Sequence, residues 1–139
     1  MVAQTIEQTN EIARAFASQL SQNDVVLMDG EMGAGKTAFV RAVAGYFGCE
    51  DQVSSPTFAI MNIYRGDMAL YHFDMYRLNS TDEAHEAGLF DFIGMDGITL
   101  IEWPQNIGDL ANATHRVTIA KDDKQGENYR TILIEKMDG

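Results

Sequence analysis

At 139 residues the chain suits one domain, 1–139, which buries roughly two-thirds of the surface that its unfolded form exposes and leaves no room for a second core. Its 45% hydrophobic and 22% charged residues are those of a soluble globular protein, and no apolar run approaches the roughly 20 residues needed to span a bilayer. A net charge of −11, from 21 acidic against 10 basic side chains, disfavours independent binding to RNA or DNA, which relies on cations that displace phosphate counterions.

Taken in chain order, Met1 to Thr5 lack a basic patch followed by an apolar core, so a cytoplasmic, membrane-free protein is expected, with disorder only at its ends. Residues 6–20 read as an amphipathic helix with Ile6, Ile12, Phe16 and Leu20 on one side and Thr5-x-x-Gln8 as a capping box. Val25-Val26-Leu27-Met28 is a short apolar run ending at Asp29-Gly30, as a buried strand does. Gly30-Glu31-Met32-Gly33-Ala34-Gly35-Lys36-Thr37 then matches G-x-x-x-x-G-K-[ST] in full. Its glycines let the backbone curl around an anion with N–H groups pointing inward. Lys36 adds a solvent-facing cation, and Thr37 a hydroxyl for Mg²⁺. From Lys36 the apolar residues Phe39, Val40, Val43 and Phe47 recur at helical spacing, so strand, Gly-rich loop and helix follow in the order that a nucleoside triphosphate site requires. Such a helix begins under the phosphates, where its unpaired N–H groups and dipole favour negative charge.

Cys49 is the only cysteine, so it forms no intrachain disulfide and is read as structural. Pro56 pushes Ser55 toward an extended conformation at the end of a polar loop. Thr57 to Tyr64 and Ala69 to Phe73 flank Arg65-Gly66-Asp67-Met68, which predicts an antiparallel hairpin and hence a mixed sheet. Residues 79–83 offer caps for a short acidic helix to about Ala87, ended by Gly88. Ile98 to Ile101 form a buried strand leading to Glu102-Trp103-Pro104, and Val117, Ile119, Ile132 and Ile134 mark a final pair of strands around a charged turn at Lys121 to Asn128. The pattern is an α/β domain of P-loop NTPase type, a mixed central sheet flanked by helices.

P-loop hydrolysis needs an acidic group near the Mg²⁺ shell or the attacking water, usually at the end of a neighbouring strand. Asp74, after Leu70 to Phe73, and Glu102, after Ile98 to Ile101, both qualify, and either is also compatible with a plain strand-end turn. Thr57 stands where small P-loop proteins place a nucleotide-responsive switch, although Thr is also an ordinary β-former. His72, His85 and His115 lack metal-ligand spacing and are assigned no chemistry; Trp103 and Arg77 read as a packing aromatic and an ion-pair partner. A GTPase reading fails. Asp91-Phe92-Ile93-Gly94 follows a predicted helix rather than a strand, and Ala120-Lys121-Asp122-Asp123 lacks the Asn of a guanine-reading element. A small-molecule kinase, the main enzymatic rival, needs an acceptor pocket and a basic lid for which this acidic chain has little room. A nucleotide-gated adaptor, in which ATP binding alone changes partner affinity, is the non-enzymatic rival.

Gly30 to Thr37, Ser55-Pro56-Thr57-Phe58, Tyr71-His72-Phe73-Asp74-Met75-Tyr76-Arg77-Leu78 and Ile101-Glu102-Trp103-Pro104, in this order, resemble the TsaE (YjeE) family over roughly residues 5–135. These are small bacterial P-loop ATPases of the tRNA threonylcarbamoyladenosine pathway. The resemblance implies ATP binding at Gly33, Ala34, Gly35, Lys36 and Thr37, and Mg²⁺ coordination by Thr37 and Glu102. It also implies a catalytic or water-positioning role for Asp74 and a switch role for Thr57. It further implies an accessory ATPase that acts with TsaB and TsaD, in which TsaD transfers the threonylcarbamoyl group to adenosine 37 and tRNA is met only through the complex. The P-loop carries Glu31-Met32 where the family commonly has Asp-Leu, at variable positions. The C-terminal strands match weakly, which leaves Arg130 outside the assigned set.

Overall fold

A computed structural model of the chain describes residues 1–30, 34–49, 61–74, 96–102 and 113–137. Their elements run, in chain order, β1 (Val2–Ala3), α1 (Ile6–Ala17), β2 (Val25–Asp29), α2 (Lys36–Tyr46), β3 (Met61–Tyr64), β4 (Leu70–Asp74), β5 (Ile98–Glu102), β6 (His115–Lys121) and β7 (Arg130–Lys136). The strands form one sheet in the order β1-β7-β6-β2-β5-β4-β3. Strands β6, β2, β5 and β4 pair in parallel; β7 and β1 extend one side and β3 the other, all antiparallel. The central strands β2 and β5 are buried nearly throughout, as continuous Val, Leu and Ile runs require, whereas β6 alternates buried and half-buried residues.

This is the mixed α/β sheet that the sequence predicts. The hairpin β3–β4 and the final pair β6–β7 both form, and α2 buries Phe39, Val40 and Val43. The predicted helix at residues 79–87, Pro56 and Pro104 lie outside the described residues. Among the described residues no helix is long and apolar enough to cross a membrane. Cys49 is buried, and its thiol donates to the Ala44 carbonyl at 3.4 Å, in keeping with a packing role.

Two expectations are corrected. The N-terminus is ordered: β1 pairs with β7, and the Met1 amino group donates to the Ile132 carbonyl at 2.8 Å. Helix α1 stops at Ala17, three residues early, and its buried face is Thr9, Ala13, Phe16 and Ala17, with Ile6 54% exposed. Ile6 sits in the first turn, which borders an open cleft beside Ala34 and Gly35 rather than the core. The Thr5 cap forms as expected, its hydroxyl accepting from the Gln8 N–H at 3.1 Å, while the Gln8 side chain accepts from the Gln4 N–H at 2.7 Å.

Phe16 ties α1 to the rest of the molecule. Its ring lies 6.0 Å from that of Phe39 on α2 and meets His115 on β6 edge-on at 5.5 Å. Burying a phenylalanine this way stabilises by roughly 1.5–3 kcal/mol, with a further contribution from ring geometry. The same packing removes His115 from water and lowers its pKa; Asp24 opposes the shift and Lys136 adds to it. A histidine held neutral in the fold takes up its proton first in the unfolded chain. Its contribution to stability is therefore fully present above the ordinary value of 6.5 and is lost as pH falls below it toward the folded value. The urea midpoint should fall between about pH 7.5 and about pH 5.5, and His115→Gln should remove part of that fall. An unchanged pH dependence in the variant would refute this.

Candidate functional site

The phosphate loop starts where β2 leaves the sheet. A side chain at Gly30 would bring its Cβ within 2.7 Å of the Ile119 carbonyl on β6, so only glycine lets the chain turn away at that point. Gly35 caps α2 in the left-handed region at φ 102°, which glycine tolerates without strain. Unlike α1, α2 has no capping side chain and no acid in its first turn, so its leading N–H groups and dipole are available to an anion. Ala34 is buried, Thr37 is half-buried as the second residue of α2, and Gly33 lies outside the described residues.

Lys36 differs from its expected solvent-facing placement. It is only 6% exposed, and its ammonium donates to the Gly30 carbonyl at 2.6 Å, folded back across the loop. The long apolar stem explains this, since it packs over Gly30 while the charged end stays at the loop.

The carboxyl ends of the parallel strands meet beside this loop, the position at which open α/β sheets bind ligands. In register, Met28 of β2 stands beside Glu102 of β5, and Glu102 beside Asp74 of β4. The two predicted carboxylates therefore occupy neighbouring positions, Glu102 one strand and Asp74 two strands from β2, which leads into the phosphate loop; the Asp74 side chain lies outside what is described. Glu102 is 4% exposed and lies 2.5 Å from His72 Nε2, and His72 Nδ1 lies 2.9 Å from the Tyr64 hydroxyl. Burial raises the Tyr64 pKa, the nearby Glu102 charge adds to the rise, and a hydrogen bond from Asn62 opposes it. His72, assigned no chemistry from the sequence, thus joins the site. The available signal was a polar residue inside the apolar run Leu70 to Phe73.

Arg130 joins as well. Its Nε donates to the Ala34 carbonyl at 2.8 Å, and its Nη1 donates to the carbonyls of Glu127 and Tyr129 at 2.9 and 2.8 Å. The guanidinium therefore braces the phosphate loop from the start of β7. Arg116 pairs with Asp29, the residue just before the loop, and offsets its negative charge there. A shallow cleft opens next to Ala34 and Gly35, walled by Ile6, Thr9 and Asn10 of α1, Ala38 of α2, and Asn128 and Arg130.

Thr57, Trp103, Arg77 and His85 lie outside the described residues. Among the described residues, no three His, Cys, Asp or Glu side chains gather into a metal site. The donors present, the Thr37 hydroxyl and the Glu102 carboxylate, are hard oxygens that suit Mg²⁺, which commonly shares its coordination between a carboxylate or two and substrate phosphates.

The fold is similar to that of the Bacillus subtilis YdiB crystal structure, with a TM-score of 0.72 and 26% identity over 98% of this chain and 83% of that one. The sequence is 41% identical to a Rickettsia bellii protein named tRNA threonylcarbamoyladenosine biosynthesis protein TsaE, over 75% of this chain and 73% of that one. Proteins of the same name from Bacillus subtilis, 39% identical over 92% of this chain and 79% of that one, and from Treponema pallidum, 31% identical over 86% and 98%, are also similar. The family model described as Threonylcarbamoyl adenosine biosynthesis protein TsaE matches residues 3–132, and with its P-loop fold the chain belongs to the TsaE family.

Proposed function

We propose that this chain is a Mg²⁺-dependent ATPase that serves threonylcarbamoylation of adenosine 37 in tRNA as an accessory subunit of a TsaB–TsaD complex, and is not itself the transferase. The observation that carries the reading is the start of α2 at Gly35 and Lys36, which has no side-chain cap and follows β2, the strand paired with β5 and its buried Glu102 carboxylate. In this reading the N–H groups of α2 and Lys36 hold the β- and γ-phosphates, with Gly33, Ala34 and Gly35 forming the loop around them. The cleft beside Ala38 receives the nucleoside. Thr37 and Glu102 would hold Mg²⁺, which when bound would supply positive charge beside the phosphates. Asp74 orients water, and Thr57 responds to the γ-phosphate. Hydrolysis is slow without partners, and the protein works in the cytoplasm, where tRNA and ATP meet.

The net charge of −11 supports a route to tRNA through a basic partner rather than by direct contact. The isolated chain should bind purified tRNA only weakly at physiological salt, while its association with a TsaB–TsaD complex should be strong and depend on the nucleotide. Fluorescence anisotropy with labelled tRNA, and partner pull-down with ADP or an ATP analogue, read both. Submicromolar tRNA binding by this chain alone would contradict the reading, as would partner binding indifferent to nucleotide. Multiple-turnover ATPase assays with and without the complex separate an ATPase from a nucleotide-gated adaptor.

A further inference from the structure

The buried residues Tyr64, His72 and Glu102 lie on three adjacent strands. His72 of β4 is opposite Asn62 of β3 and Leu100 of β5, so Tyr64 and Glu102 are each two residues along from its direct partners. A two-residue step keeps all three side chains on one face of the pleat, at the diagonal spacing that long side chains bridge. The result is a continuous line: Tyr64 Oη to His72 Nδ1 at 2.9 Å, then His72 Nε2 to Glu102 Oε2 at 2.5 Å, with His72 only 1% exposed.

We propose that His72 is a positioning residue for Glu102: Tyr64 donates to Nδ1 and fixes the ring as its Nε2–H tautomer, and that N–H holds the Glu102 carboxylate in place for a divalent cation. The proposal rests on the reading of Glu102 as a metal ligand. Three observations set the direction of the hydrogen bonds. An ionised carboxylate only accepts, so Nε2 must carry a proton for the 2.5 Å contact to be a hydrogen bond. In a neutral ring Nδ1 then has a lone pair and needs a donor, which Tyr64 alongside it supplies. Burial keeps the phenol protonated, so its O–H is available to His72 Nδ1, 2.9 Å away. Outer groups that orient a ligand in this way typically change metal affinity by about 10–100-fold when removed.

The test uses the full chain and does not depend on turnover. In ¹⁵N-histidine NMR, His72 should show a protonated Nε2 and an unprotonated Nδ1, and Tyr64→Phe should shift the Nδ1 signal. Mn²⁺ binding, followed by electron paramagnetic resonance with a saturating non-hydrolysable ATP analogue, should weaken by about 10–100-fold in His72→Leu. It should largely recover in His72→Gln, whose amide N–H stands near the Nε2 position. Metal-free affinity for the analogue should stay unchanged in both variants. If His72→Leu fails to fold by circular dichroism, Tyr64→Phe carries the test, with a smaller loss of Mn²⁺ affinity expected. An Nδ1–H tautomer, or equal Mn²⁺ affinity in the wild type, Leu, Gln and Tyr64→Phe proteins, overturns the proposal. If Glu102→Gln also leaves Mn²⁺ binding unchanged, the metal-ligand reading falls with it; if Glu102→Gln alone weakens binding, only the role of His72 falls.

Discussion

Lys36→Ala is expected to weaken ATP binding, or turnover where binding is saturated, by about ten- to a hundredfold, the equivalent of about 1.5–3 kcal/mol for one charge-assisted hydrogen bond. The loss follows from chemistry at the loop. The α2 N–H groups remain, but the one side-chain cation of the motif is gone. The fold should survive with a small deficit, because Lys36 donates to the Gly30 carbonyl and that acceptor loses its partner, at about 0.5–1.5 kcal/mol. Isothermal titration with ATP and a thermal melt on the same sample separate the two effects. Wild-type affinity and turnover in the variant would sink the P-loop assignment, and unfolding would show that the lysine is chiefly structural.

Glu102→Gln should reduce Mg²⁺-dependent hydrolysis on the order of a hundredfold while leaving ATP binding nearly intact. The substitution keeps the shape of the side chain, so the packing around this buried position persists, and an amide oxygen still accepts from His72. What it removes is the negative charge that a hard divalent cation prefers. Asp74 stands beside Glu102 in register, so Asp74→Asn and the double variant complete a thermodynamic cycle. If both carboxylates serve one metal–water site, the double loss should fall short of the sum of the single losses. Strictly additive losses would point to separate roles. Wild-type hydrolysis by Glu102→Gln across a Mg²⁺ titration would make Glu102 a strand-end structural residue.

The strand and the helix that flank the glycine-rich motif were legible because each has its own local cause: an apolar run before Gly30, then helical periodicity from Lys36. Glu102 was legible for the same reason, as the first charged residue after a buried run. Other features depend on partners distant in the chain. A two-residue strand such as β1 has no pattern of its own and exists because β7 offers an edge to pair with. His72 becomes part of the site only through the register of β4 with β3 and β5, which places Tyr64 and Glu102 on either side of it. Arg130 reaches Ala34 across 96 positions of sequence, a contact that no local spacing encodes. Ile6 fits the helical stripe by spacing yet stays exposed, because its turn borders the cleft rather than the core. Lys36 was placed by charge alone, whereas its aliphatic stem decides that it packs.

The most direct test is a crystal structure of the chain with Mg²⁺ and a non-hydrolysable ATP analogue. The phosphates should lie on the N–H groups of α2 with Lys36 turned from Gly30 to meet them. Mg²⁺ should lie on the Thr37 hydroxyl, with Glu102 in its coordination sphere directly or through a coordinated water. A nucleotide bound elsewhere, or a metal with neither Thr37 nor Glu102 in its coordination sphere, would contradict the account.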